Sequence, residues 1–64
     1  MPIIQISLVE GRSPQMLRDL IRNVVNATHE TLGAPKETIK VILTEVKPTH
    51  WGSGDQTIAE KRST

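Results

Sequence analysis

The chain has no cysteine, no phenylalanine and no tyrosine, and a single tryptophan among 64 residues. Without cysteine there is no disulfide framework, and the two histidines alone do not make a structural zinc site. Without Phe or Tyr the core has to be aliphatic, which makes a lone Trp51 in a turn-rich stretch conspicuous. Charge of one sign is also missing. Eight Lys/Arg against seven Asp/Glu leave a net charge of +1, too balanced for the basic stripe of a nucleic-acid binder. No apolar run approaches the ~20 residues of a membrane span. The start, MPIIQISLVEGR, has no basic region ahead of its apolar stretch and does not read as a signal peptide. The expectation is a soluble cytoplasmic protein, with no nucleic acid and no membrane among its partners.

What remains is one small domain. A chain of this length buries only about 60% of its unfolded surface. With disulfides and zinc excluded, self-association is the remaining way to complete a core.

The patterning predicts strand, long helix, strand. From Ile3 to Val9, Ile4, Ile6 and Leu8 alternate with Gln5 and Ser7, the period of a strand. Gly11 permits a break. Ser13 is placed as N-cap and Pro14 as first helical residue. Leu17, Leu20, Ile21, Val24, Val25, Thr28 and Leu32 then recur at helical spacing, and Gly33 and Pro35 stop the helix. A second strand is expected over Ile39–Val46, where Val41-Ile42-Leu43 is continuously apolar. The fold class is α+β: a small βαβ subunit with parallel strands and a right-handed crossover, its sheet completed by oligomerisation. One helix covers one face of two strands, which leaves the other face and both edges for a partner. Lys47 to Asp55 reads as a loop or short hairpin, and the tail from Gln56 as a segment that packs on a neighbour and frays.

Few residues carry chemistry. Gly52-Ser53-Gly54-Asp55 lacks the spacing of a phosphate loop and no long helix follows it. His29 reads as a solvated helix-flank residue, and Glu10, Glu37 and Glu45 as strand-end charges. Arg12 stands between a strand and a helix start, where anions are favoured. Lys40 lies at the start of the second strand among apolar neighbours, and Trp51 reads as an interface anchor. Pro2 is the least common feature. Loss of Met1 would leave a secondary amine at the head of a strand. An α-amine titrates at about 8 in reference peptides, and an apolar pocket beside cations disfavours its charged form. A base near neutrality is what proton abstraction next to a carbonyl requires.

The segments Pro2-Ile3, Glu10-Gly11-Arg12, Thr44-Glu45 and His50-Trp51-Gly52, in this order and at this chain length, resemble the 4-oxalocrotonate tautomerase family over residues 2–56. The resemblance implies βαβ subunits assembled as a homo-oligomer, usually a hexamer built as a trimer of dimers. It implies a single domain over 2–64 after removal of Met1, working without cofactor or metal. The implied reaction is keto-enol tautomerisation of a small unsaturated 2-hydroxy acid or diacid such as 2-hydroxymuconate, a step in aromatic hydrocarbon catabolism. Pro2 matches the catalytic amino-terminal proline. Arg12 matches an arginine that binds a substrate carboxylate, and Trp51 the aromatic wall beside the proline, which Ile3 and Val9 extend. Lys40 stands where a second arginine is typical, and it keeps the charge without the planar fork. Two alternatives follow: a hetero-oligomer whose partner chain supplies the missing arginine, and a family member turned to another reaction such as haloacrylate dehalogenation.

Overall fold

A parallel strand pair and the helix that connects it set the architecture. In the computed structural model, which describes residues 1–63, the elements are β1 (Ile3–Val9), α1 (Pro14–Leu32), β2 (Lys40–Val46), β3 (Gly52–Ser53), β4 (Gln56–Thr57) and α2 (Ile58–Arg62). Single 3-10 turns lie at Lys36–Thr38 and Pro48–His50. The expected domain over 2–64 ends at Thr64, which lies outside the described residues.

α1 starts and stops at its capping residues. Ser13 takes extended backbone, and its Oγ accepts from the Met16 N–H at 3.2 Å, satisfying one of the orphan donors of the first turn. At the other end Gly33 adopts φ 74° and donates to the His29 carbonyl at 2.8 Å. A Cβ there would meet open space, so Gly33 serves the left-handed backbone rather than a close approach. His29 is not simply solvated. It is half-buried, and its Nδ1 donates to the Ala34 carbonyl at 2.7 Å, because the reversal at Gly33 brings that carbonyl back within reach of the last helical turn.

β1 and β2 pair in parallel, with Ile3 opposite Lys40 and Val9 opposite Val46. The second strand starts one residue later than the sequence pattern predicts. Ile39 instead ends the preceding turn, its N–H bonded to the Lys36 carbonyl at 3.1 Å. At 6% exposure it is the one buried residue among those described. Directly paired residues share a face, since side chains alternate along each strand. Ile4 with Val41 and Ile6 with Leu43 are half-buried beneath α1, whereas Ile3 with Lys40, Gln5 with Ile42 and Ser7 with Thr44 are exposed on the bare face. On α1, Leu17, Leu20, Val24, Val25 and Thr28 form the half-buried stripe. Of the other residues predicted on that stripe, Ile21 lies at its margin at 37% exposure and Leu32 is 66% exposed. The helix, at about 28 Å, outreaches strands of about 23 Å, and Leu32 overhangs them.

The resulting slab measures 45 × 24 × 14 Å, with a radius of gyration of 14.9 Å against about 10.7 Å for a compact domain of this length. Its accessible surface is 4788 Å², where about 4,100 Å² is usual for a monomer of this mass. The excess is where two layers have no third: the bare sheet face exposes Ile3 and Ile42.

The C-terminal part differs from expectation. β3 and β4 form an antiparallel hairpin, with Gly52 opposite Thr57 and Ser53 opposite Gln56. Gly54, at φ 70°, takes the first central position of its two-residue loop, the φ pattern of a type II′ turn. The tail does not fray after Gln56. It forms α2, which packs against the chain's own Pro48–His50 turn. A capping box starts it: the Thr57 side chain accepts from the Glu60 N–H and the Glu60 side chain from the Thr57 N–H, each at 3.1 Å.

Candidate active site

The sheet divides the candidate residues between its two ends. At the amino-terminal end, the Lys40 N–H donates to the Pro2 carbonyl at 3.0 Å, one step beyond the Ile3–Lys40 pair. Pro2, Ile3 and Lys40 are therefore neighbours by backbone pairing. Pro2 is half-buried, and Met1 before it is 86% exposed. Lys40 shares the bare face with Ile3, which keeps its ammonium in solvent in the isolated chain.

At the other end, the ladder closes with the Glu10 N–H donating to the Val46 carbonyl at 2.9 Å. Gly11 then turns the chain at φ 134°, a conformation that L side chains rarely adopt. Arg12 follows and folds back, its Nη1 donating to the Val9 carbonyl at 2.9 Å. Four further guanidinium donors keep their capacity for an anion. Because the strands are parallel, the segment after β2 leaves at this same end, and Trp51 follows the Pro48–His50 turn half-buried. Val9 and Trp51 thus supply apolar surface at the end where Arg12 supplies charge.

Pro2 and Arg12 of one chain are separated by the length of β1, about 23 Å. A small diacid cannot bridge them, and the described residues of a single chain enclose no pocket. On the sequence, Arg12 and Lys40 are expected from neighbouring subunits, and the fold gives each chain two separated halves, with Pro2 and Lys40 at one end of the sheet and Arg12 and Trp51 at the other. Among the described residues no group of three His, Cys, Asp or Glu is placed to hold a metal ion. Glu10, Glu37 and Glu45 are exposed.

A family model described as "Tautomerase enzyme" matches residues 2–61. The chain belongs to the tautomerase family. A probable tautomerase of Staphylococcus saprophyticus, SSP1389, is 44% identical over 52 residues, which are 81% of this chain and 85% of that protein. A probable tautomerase of Ralstonia nicotianae, RSp0893, is 46% identical over 52 residues, 81% of this chain and 74% of that protein. Among solved tautomerase structures, TomN, a 4-oxalocrotonate tautomerase homologue in the tomaymycin biosynthetic pathway, superposes with a TM-score of 0.96 at 43% identity, covering 98% of this chain and 97% of its own. A heterohexamer 4-oxalocrotonate tautomerase from Chloroflexus aurantiacus gives 0.89 at 33% identity, over 94% of this chain and 97% of its own. The small βαβ fold with parallel β1 and β2 is thus that of the 4-oxalocrotonate tautomerases.

Pattern reading along the sequence misses Thr57, Ile58, Glu60 and Lys61, which organise the segment around Trp51. The Ile58 N–H donates to the Trp51 carbonyl at 2.9 Å. Thr57-x-x-Glu60 has the spacing of a capping box, and that signal was available to find the helix.

Proposed function

We propose that the protein is a cofactor-independent tautomerase acting on a small unsaturated 2-hydroxy acid, with 2-hydroxymuconate as the reference substrate, and that it works as an oligomer after removal of Met1. The observation that carries this reading is the position of Pro2. It heads β1, it opens the family match at residue 2, and it is anchored by the Lys40 N–H. Once Met1 is gone, its nitrogen is a secondary amine held by the sheet.

The reaction needs one base that moves a proton and cations that hold charge. The Pro2 nitrogen takes the proton of the 2-hydroxyl. The electron pair moves through the conjugated system, the oxygen becomes a carbonyl oxygen, and a proton is delivered to a distal carbon. Proton count and oxidation state are unchanged, so no co-reactant is consumed. Lys40 stabilises negative charge growing on the oxygen and adjacent carboxylate, and Arg12 takes the distal carboxylate through its planar donors. Ile3, Val9 and Trp51 exclude water and favour the neutral amine.

The two halves meet between copies. A neighbour running antiparallel along the free edge of β1 brings its Arg12, Val9 and Trp51 beside Pro2 of the first copy, and two-fold symmetry makes two such sites. A bare sheet face and surplus exposed surface support this assembly, and a hexamer satisfies it. A second reading, that the copies are two different chains, is favoured by the Chloroflexus aurantiacus relative, a heterohexamer, and by lysine at position 40. Co-purification of a second short chain would establish it.

Intact mass followed by an ultraviolet assay with 2-hydroxymuconate on the same sample tests the reading. Protein lacking Met1 should be active, with an ionisation near neutrality in its rate profile. Acetylating the Pro2 nitrogen or retaining Met1 should lower the rate by about 10²–10⁴-fold, the usual contribution of a positioned base, and remove that ionisation. Full activity with a blocked nitrogen overturns the proposal.

A further inference from the structure

We propose that the C-terminal segment Thr57–Lys61 is a clasp that positions Trp51, with Thr57, Ile58 and Glu60 as positioning residues. Trp51 sits where the backbone has little of its own to hold it. It leaves the Pro48–His50 turn in extended geometry, φ −105° and ψ 107°, and that turn has no side-chain cap. The chain then makes the β3–β4 hairpin and returns. The first N–H of α2, from Ile58, donates to the Trp51 carbonyl at 2.9 Å. Thr57 stands opposite Gly52, the residue after Trp51. One turn further on, the Lys61 Nζ donates to Ser53 Oγ at 3.1 Å. The segment is thus tied to residues 51, 52 and 53 in succession.

A five-residue helix has no stability of its own, because nucleating a helical turn is unfavourable. Besides its packing on the Pro48–His50 turn, what fixes α2 here is the reciprocal pair between Thr57 and Glu60, each bond 3.1 Å long. Those two bonds fix the start of α2, and together with the β3–β4 pairing, which the Ile58–Trp51 bond continues by one step, they hold the Ile58 N–H toward the Trp51 carbonyl. The tryptophan is therefore aimed by side chains six and nine residues beyond it, in a segment whose sequence reads as a tail. The consequence for catalysis rests on the reading of Trp51 as a wall of the active site. The clasp itself does not.

The chain reports on its own clasp. With one tryptophan and no tyrosine or phenylalanine, intrinsic fluorescence belongs to Trp51 alone. In a Thr57→Ala/Glu60→Ala double variant, compared at unchanged oligomeric mass, acrylamide quenching of Trp51 should rise and its emission move to the red. Exchange of the Ile58 amide should quicken by about 2- to 30-fold, the effect of losing a cap. The Thr57→Ser/Glu60→Gln pair preserves both bonds and should match the parent. Ser53→Ala, which removes only the hydroxyl's contact with Lys61, should shift quenching in the same direction by less. The value of kcat/KM should fall with the loosening of Trp51 and recover in the Ser/Gln pair. Unchanged quenching and exchange in the double-alanine protein overturn the clasp, and so does a Ser/Gln pair as impaired as the alanines. Loosened Trp51 at undiminished kcat/KM keeps the clasp and removes Trp51 from the proposed site.

Discussion

The two ends of the β1–β2 sheet hold their candidate residues by different means. At the amino-terminal end the sheet itself does the positioning: Lys40 opens β2, and its N–H bonds the Pro2 carbonyl as a continuation of the ladder. At the carboxy-terminal end the residues lie beyond the ladder, and each has its own device. Gly11 turns the chain at φ 134°, Arg12 folds back onto the Val9 carbonyl, and the Ile58 N–H ties down Trp51. The difference separates two demands. A proton-transferring group, the role proposed for Pro2, has to be fixed to a fraction of an ångström, and a strand end does that. Groups that select the substrate can vary without disturbing the sheet when they sit on turns. In the proposed site each end needs the other, and parallel strands keep the two apart within one chain.

The largest test of that division denies the chain its second copy. Ile42 is 47% exposed on the bare face, paired with Gln5. Ile42→Glu places a charge where assembly would bury an aliphatic group. An uncompensated buried charge costs on the order of 3–5 kcal/mol, so kcat/KM should fall by about 10²- to 4 × 10³-fold. Light scattering behind size exclusion should show the parent well above the 7.1 kDa of a single chain and the variant smaller. Ile42→Val should keep both mass and rate. A glutamate variant with parental mass and rate would show that nothing covers this face.

The next test asks which chain each half serves. Arg12→Ala should lower turnover of a dicarboxylate by about 10- to 150-fold, the range for one charge-assisted hydrogen bond, and much less for an enol monoacid lacking the distal carboxylate. Equal losses would give Arg12 a structural role through its bond to Val9. Assembling Arg12→Ala chains together with Pro2-acetylated chains sharpens the result. If Pro2 of one copy works with Arg12 of its neighbour, equal mixing restores up to about a quarter of the parental activity, since half of the pairs are mixed and each mixed pair has one intact site. If both come from one chain, mixing restores nothing.

The same division marks what the sequence makes legible. β1 and α1 follow from the sequence with their observed bounds, because apolar period and capping residues act locally: Ser13, Pro14 and Gly33 do at their positions what those residue types do in general. β2 is legible except for Ile39, whose β-branched side chain suits a strand but whose N–H goes to the Lys36 carbonyl instead. The C-terminal clasp is poorly legible, since its five-residue helix is shorter than the two turns over which an apolar period shows, and only the Thr57–Glu60 spacing announces it. The types of the site residues are legible, but their arrangement on the sheet is not. That cations come from neighbouring subunits is part of the sequence reading, but which residues share an end of the sheet is set by the parallel register, which puts Lys40 beside Pro2 and the length of a strand between Pro2 and Arg12.

The smallest effect is expected at Lys40, the one residue that bears on both the ends and the chemistry. Its backbone belongs to the amino-terminal end, while its side chain shares the bare face with Ile3 and Ile42. A lysine there offers a point charge that can polarise one oxygen, whereas arginine offers a planar fork that can grip a carboxylate and the oxygen beside it. Lys40→Arg should therefore raise kcat/KM on 2-hydroxymuconate by about 3- to 30-fold, the range for one added charge-assisted contact. The gain should sit mainly in kcat, because charge on that oxygen grows toward the transition state. Lys40→Ala should lower kcat/KM by at least as much. If arginine changes nothing while alanine is harmful, the lysine suits an acid that presents a single oxygen at this place, and the substrate search moves to monoacids. If neither substitution matters, Lys40 is a surface residue of the strand. The second cation then has to come from a different chain, which is the hetero-oligomer with its partner's contribution located at the Pro2 end.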